Sequence, residues 1–371
     1  ARDYAIIGCQ EITGSGNDYS AANGVCPPHS TIHYGVILNM ALNNGINPMN
    51  HEQCSIHTGY LYEMQSFAEV QEAWKTLARH FLQSQVSLNN YMEYLVQYLT
   101  PHAILSISMD GCMESGKDCT AGGCKYNSYG GTGTGLATVA DSLTAIRYMG
   151  FDKKLCTTRE LYDAVMANWE GYEPLRQRII AEVPHFGNHD PYADEQMHWV
   201  LTTYYGLCRE CYSVRAKVFK AGLYGAADHV HQGYTTWATP DGRLAGTPIA
   251  DAASPVQGRD THGPTAVFAS SLCYDHSLFM DGVCLNLRIH PSALSNEEGI
   301  QKLRDMIRVY MKNGGAEVQF NVVSSETLRA AQANPEEYRD LVVRIAGYSA
   351  YFVELTRDCQ NDLIARNENM L

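Results

Sequence analysis

The sequence predicts an α/β fold in which short parallel strands are joined by helices. Three observations carry that expectation. Long stretches repeat apolar residues at helical spacing, short apolar runs of strand length stand between them, and turn residues mark many of the boundaries. No internal repeat of fixed period and no low-complexity segment competes with this pattern. A chain of 371 residues that is 45% hydrophobic and 18% charged can bury a sizeable core.

In chain order, the apolar spacing predicts helices over 36–44 and 67–99. The segment from Ala103 to Met109 reads as a short β-rich run. Helical spacing returns over 136–149, 158–183, 194–222 and 296–312. A second short strand is predicted over 318–323, and Pro335, Glu336 and Glu337 form an acidic helix start. Between them, 226–265 is rich in loops: Pro240, Asp241, Gly242 and Arg243 are turn chemistry that breaks the helical pattern.

Charge excludes some functions. Lys plus Arg is 27 and Asp plus Glu is 40, a net charge of −13 that repels a phosphate backbone, so no nucleic-acid partner is expected. The apolar runs fall well short of the roughly 20 residues that cross a bilayer, and no basic and apolar signal opens the chain. No membrane partner and a cytoplasmic location are expected. Twelve cysteines are too dilute for a disulfide scaffold and read as reduced thiols. Cys208 and Cys211 form a lone CxxC within helical sequence and read as core thiols. Cys112, Cys119 and Cys124 cluster without regular metal-ligand spacing.

Common motifs fail on inspection. Residues 111–117, GCMESGK, fit a phosphate loop, but Asp118 stands where Ser or Thr would meet magnesium and its charge opposes phosphate. Gly131 and Gly133 lack the third glycine of a dinucleotide fingerprint, because Leu136 occupies its place. The glycines at 130, 131, 133 and 135 therefore read as a flexible or tightly turning loop. His51 with His57, and His229 with His231, have no carboxylate completing a recognisable triad and read as ordinary polar positions.

Two segments stand out. RDYAIIGCQE, residues 2–11, ends an apolar strand at Gly8 and places the Cys9 thiol and the Glu11 carboxylate on one side of an extended chain. RIAGYSAYFVEL, residues 344–355, embeds Gly347 among apolar residues where a packing side chain is the norm. Singly, each fits a tight bend. Together they resemble the cysteine loop and the C-terminal radical loop of the glycyl radical enzymes, the pyruvate formate-lyase superfamily. The segments 111–127, 239–255 and 314–324 resemble family segments in the family's order, so the likeness runs over essentially the whole chain.

The resemblance implies a radical stored at Gly347 and a thiyl radical at Cys9 that takes hydrogen from substrate. The residue types suit that chemistry. A glycine α-carbon radical is shared between amide nitrogen and carbonyl and needs a planar centre that no Cβ crowds. A sulfur–hydrogen bond is weak enough for that radical to break, yet strong enough when re-formed to drive abstraction from carbon. A closed, dry cavity protects both. The implied fold is the second half of a ten-stranded barrel surrounded by helices, residues 1–240, followed by a glycine radical domain, 241–371.

Glu11 narrows the implied reaction. Pyruvate formate-lyase has two adjacent cysteines at this place and the arylsuccinate-forming members lack the glutamate. Cys-x-Glu resembles the dehydratases and lyases, where Glu11 would take the proton from the hydroxyl beside the substrate radical, and also the arylacetate decarboxylases. General base catalysis of this kind supplies roughly 10²–10⁴-fold. Elimination is the preferred reading and decarboxylation the alternative. Glu114, in a second Cys-x-Glu, is a further candidate for proton handling, set against a buried ion pair in its loop. The loop departs from the eliminase pattern GCVEP at Gln10 and Ile12, and His29, His33 and Tyr34 follow in less typical sequence, which points to an unusual pocket.

The resemblance also implies partners: a small-molecule substrate, and a radical S-adenosylmethionine activase that installs the radical and leaves no cofactor bound. Family members are about twice this length, so a missing N-terminal half or subunit is expected, with a homodimer when complete and an incompetent isolated chain. An anaerobic setting follows. A non-catalytic spare part carrying only the glycine loop is the alternative of another class, and the Cys9 and Glu11 pair speaks against it.

Overall fold

The computed structural model describes residues 4–7, 11–20, 30–216, 219–225 and 227–370. It begins with an antiparallel pair, β1 (Tyr4–Ile7) and β2 (Glu11–Gly14), with Ile7 opposite Glu11. β3 (Asp18–Ser20) and β4 (Ser30–His33) follow, and β4 runs straight into α1 (Tyr34–Leu42), which is buried on nearly every face because it is apolar all round. A small antiparallel pair, β5 (Ile46–Asn47) and β6 (Glu52–Gln53), leads to α2 (Phe67–Leu99). α2 has the predicted bounds: the Ser66 hydroxyl accepts the Glu69 N–H at 3.4 Å, and the helix stops just before Pro101.

The predicted strand over 103–109 is corrected: the segment is α3 (Ala103–Ile107). Its Ile104 and Ile107 are 88% and 69% exposed, so no sheet packs on them. Asp118 fixes the turn instead, accepting the His102 N–H at 3.2 Å and the Ser106 hydroxyl at 2.8 Å. The GCMESGK sequence therefore follows a helix and forms the single turn α4 (Cys112–Ser115).

The glycine-rich segment read as a loop is β7 (Tyr126–Thr134), the centre of the larger sheet. Its glycines serve close approach. A Cβ on Gly130 would stand 2.5 Å from the Lys220 carbonyl oxygen, and one on Gly133 would stand 2.8 Å from Leu136 Cδ1 and 2.9 Å from Tyr34 Cε2. Only Gly135, at φ +72°, turns the chain, into α5 (Leu136–Ala145), which continues as a π-helical segment over Ile146–Asp152.

The helix predicted over 158–183 is two, α6 (Thr158–Met166) and α7 (Glu173–Glu182). Asn168, Trp169 and Gly171 take positive φ between them, and Pro174 opens the second. The helix predicted over 194–222 is α8 (Pro191–Arg209) alone, and its last four residues are β8 (Phe219–Gly222), which pairs parallel with β7. β3 and β4 also run parallel to β7, as the α/β reading requires.

In the region read as loop-rich stands one short helix, α9 (Asp228–Tyr234). Then come α10 (Pro264–Ser271), β9 (Asn286–Ile289), α11 (Glu297–Lys312) capped by Asn296, β10 (Gln319–Val322) and α12 (Ser325–Ala333). The predicted helix at Pro335 is a single 3₁₀ turn over Pro335–Tyr338. β11 (Val342–Arg344) and β12 (Ser349–Tyr351) form a hairpin, followed by α13 (Arg357–Ala365) and β13 (Glu368–Asn369). β10 and β13 flank β9 in a second parallel sheet.

The main core gathers α1, α2, α5 and α8 over β7, with Trp74, Tyr34 and Tyr204 fully buried. A separate small core, including Val323, Leu328, Val343, Phe352 and Leu363, holds the C-terminal elements. Among the described residues, no helix is long and apolar enough to cross a membrane.

Candidate active site

The β11–β12 hairpin closes on a two-residue turn, Ala346 and Gly347, with the Ile345 N–H donating to the Tyr348 carbonyl at 2.9 Å. Gly347 takes φ +81°, in the left-handed region where a Cβ is strained. The Gly347 N–H donates to Gln319 Oε1 at 2.9 Å, and the Arg344 N–H donates to Asn321 Oδ1 at 2.7 Å. Both acceptors come from β10, so the second sheet sets the height of the turn.

Beneath the turn lies a buried group of four charges. His229 Nε2 is 3.0 Å from Asp362 Oδ2, and His229 Nδ1 is 3.4 Å from Asp251 Oδ1. The Arg366 guanidinium is 3.1 Å from Asp362 and 3.3 Å from Asp251, and also donates to the Ile345 carbonyl at 3.3 Å. Asn286 donates to Asp251 Oδ2, the oxygen that Arg366 also meets, at 2.7 Å, and Gln257 donates to the other oxygen of Asp362, Oδ1, at 2.8 Å. Two cations and two anions make the group neutral when His229 is protonated.

Burial alone would raise the Asp362 carboxyl, but His229, Arg366 and their hydrogen bonds outweigh it and bring it to about 2. Burial would likewise lower the His229 imidazolium, and the two aspartates reverse that and raise it above 6.5. The connection to the main sheet is direct. The Thr134 hydroxyl, at the end of β7, donates to the Gln232 side chain of α9, which also carries His229. At the end of β4, burial lowers the pKa of His33 against the opposing charge of Asp228.

Of the sequence candidates, Gly347 is placed as described. Cys9 lies outside the described residues. Glu11 starts β2, opposite Ile7, and its side chain lies outside the described atoms. Glu114 is exposed, which removes the buried ion pair as its alternative; its carboxylate accepts the Gly111 N–H at 3.0 Å and caps its one-turn helix. Cys112 and Cys124 are buried with their sulfurs 3.6 Å apart. Cys208 and Cys211 lie in the core at the end of α8.

His51, His57 and His231 are exposed polar residues, whereas His229 corrects its reading: it is buried at the centre of the charged group. Asp251, Asp362 and Arg366 were not legible as its partners, because they come from distant parts of the chain. The one local signal is the spacing of Asp362 and Arg366, four residues apart. A cavity of about 670 Å³ lies beside the β1–β2 pair, lined by Tyr4, Asp18, Ser128, Lys220 and His276. There Asp18 accepts the Ser128 hydroxyl at 2.6 Å and meets Lys220 at 3.4 Å.

The family model described as pyruvate formate lyase-like matches residues 1–233, and the glycine radical model matches 249–353. Trans-4-hydroxy-L-proline dehydratase of Clostridioides difficile is 37% identical over 90% of this chain and 42% of its own length. (2S)-3-sulfopropanediol dehydratase of Klebsiella oxytoca is 36% identical over 99% of this chain and 45% of its own. The B12-independent glycerol dehydratase of Clostridium butyricum superposes with a TM-score of 0.95 at 34% identity, covering 100% of this chain and 46% of that structure. The chain thus spans less than half the length of these relatives and shares the glycyl radical enzyme fold. With a family model matched over most of its length, it belongs to the pyruvate formate lyase-like family of the glycyl radical enzymes.

Proposed function

We propose that the chain is the Gly347- and Cys9-bearing part of a glycyl radical eliminase. The observation that carries the reading is the Gly347 turn: a glycine held at positive φ, its N–H fixed, on a hairpin anchored from below by Arg366. Likeness to dehydratases of a hydroxyproline, a sulfonated diol and glycerol supports elimination. The Gly347 radical takes the hydrogen atom of the Cys9 thiol, and the thiyl radical takes hydrogen from a substrate carbon that bears a hydroxyl. Glu11 accepts that hydroxyl's proton as the neighbouring group leaves. The substrate class is a small molecule with a hydroxyl beside a leaving hydroxyl or amine.

A radical S-adenosylmethionine activase installs the radical in this reading, and the anaerobic cytoplasm is its setting. The two matched ranges support a division near residue 240 into half of a ten-stranded barrel and a glycine radical domain. The share of each relative that is covered supports a second half of the catalytic unit outside this chain, and a homodimer of the complete protein belongs to the same reading.

The test is electron paramagnetic resonance of the chain, produced anaerobically with the matching half and an active activase. A doublet that Gly347→Ala abolishes is expected. Cys9→Ser should keep the doublet and lose turnover of diols, hydroxyprolines and amino alcohols, and Glu11→Gln should cut kcat by roughly 10²–10⁴-fold. Absence of a doublet with a demonstrably active activase overturns the reading, and release of carbon dioxide from arylacetates without elimination would replace it by decarboxylation.

A further inference from the structure

Gln319 is buried, and its side chain serves the glycine turn rather than its own sheet. Its Oε1 accepts two donors at once, the Gly347 N–H at 2.9 Å and Arg344 Nε at 2.8 Å. Its Nε2 donates to Glu317 Oε1 at 2.6 Å. This pattern admits one orientation of the amide: the flipped form would set an NH₂ against two donors and an oxygen against a carboxylate. Meanwhile Asn321, two residues along the same face of β10, holds the Arg344 backbone.

We propose that Gln319 is the positioning residue of the Gly347 turn, fixing the plane of its amide and polarising its N–H. The consequence for the radical rests on the functional reading above. A glycyl radical draws stabilisation from the amide nitrogen lone pair on one side and the carbonyl on the other. An acceptor on the N–H enriches the nitrogen and so strengthens the donating side. It also keeps the amide coplanar with the radical orbital, which the sharing of spin requires. Glu317 completes the device by holding the Gln319 carbonyl toward the turn.

The test compares Gln319→Leu with Gln319→Glu. The glutamate keeps an acceptor for both donors; it is made together with Glu317→Gln, so that an amide donor rather than a second carboxylate faces it, and this pair, written Gln319→Glu, is the conservative rescue. In the unactivated protein, hydrogen exchange followed by mass spectrometry across 344–349 should show the Gly347 amide exchanging about tenfold faster in Gln319→Leu, and within about twofold of wild type in Gln319→Glu. In the activated complete enzyme, Gln319→Leu should change the α-proton splitting of the doublet and shorten the radical's anaerobic lifetime several-fold, with Gln319→Glu near wild type. Circular dichroism and the melting temperature establish that each variant is folded, and if the leucine fails to fold, Gln319→Met takes its place. Wild-type exchange and an unaltered doublet in the folded apolar variant overturn the proposal. If the wild type itself gives no doublet, the functional reading fails, and the exchange measurement alone still decides whether Gln319 holds the turn.

Discussion

Removing the Arg366 guanidinium leaves the carboxylates of Asp251 and Asp362 facing a buried site with only His229 between them. Arg366→Met is expected to cost about 3–5 kcal/mol, as breaking one partner of a buried ion group does. The loss should be read as a lower melting temperature together with faster amide exchange across 342–369. The same group predicts a pH window. Asp362, depressed from 3.8 to about 2, contributes fully above about 3.8, and its share disappears as pH falls toward 2. His229, raised above 6.5, contributes fully below that value and loses its share as pH climbs through the raised one. Protection of the C-terminal hairpin should therefore be greatest between about pH 4 and 6.5. His229→Gln should remove the alkaline limb and also move the acid limb to higher pH, because His229 is one of the two cations that hold Asp362 down; an unchanged alkaline limb in that variant would show that another group titrates there. At this scale the sequence exposed Gly347, because a lone glycine among apolar residues is visible without partners. It hid the function of His229, because three of the four charges lie 22 to 137 residues apart along the chain.

At the scale of elements, the long periodic helix α2 and the short strand over 318–323, found as β10, were legible, while β7 and β8 were not. Phe67 to Leu99 kept its bounds because a capping Ser66 and a following Pro101 mark both ends in local sequence. β7 escaped notice because its glycines, which read as loop chemistry, are demanded by neighbours that only the fold supplies. Two substitutions separate these roles. Gly130→Ala should destabilise by about 1–3 kcal/mol, since its Cβ meets backbone of β8 that cannot swing aside. Gly206→Ala, in α8 with nothing within 4 Å of the new Cβ, should stabilise by about 0.5–1 kcal/mol. Urea titration of both variants measures the pair, and equal effects would show that close approach is not what β7 needs. β8 reads as part of the preceding helix because its four residues, FKAG, are too few for periodicity to tell strand from helix.

For the whole molecule, charge is distributed unevenly. The net charge is −13, yet residues 81–109 carry a single charged side chain, Glu93, and that one is buried against Arg215 at 2.9 Å. The same stretch exposes Leu88, Tyr91, Tyr94, Tyr98, Leu99, Ile104 and Ile107. Exposed apolar side chains in an uncharged stretch favour association in water. Leu99→Glu combined with Ile104→Glu should lower the self-association of the chain, seen by sedimentation velocity, while changing stability by no more than about 0.5 kcal/mol per site. Identical sedimentation before and after would place the attraction elsewhere. The fold class followed from the alternation of helices and short strands, and the parallel sense of both sheets agrees with it. The cavity beside β1 and β2 was not legible, because Asp18, Ser128 and Lys220 meet only once three strands are aligned.

The neutral group beneath the glycine turn divides its members between two inheritances. His229 and Asp251 precede the second sheet, while Asp362 sits on the last helix and Arg366 directly follows it. Each side supplies one cation and one anion. A C-terminal segment exchanged between related enzymes thus arrives with its own charge already balanced, and the recipient loses no neutrality if its own half is intact. Grafts cut between α10 and β9, which carry β10 along with the hairpin, should keep the hairpin docked, whereas cuts that separate Asp362 from Arg366 should not. The end of the chain that carries the Gly347 turn is in this sense a transplantable part, its charge matched through four side chains.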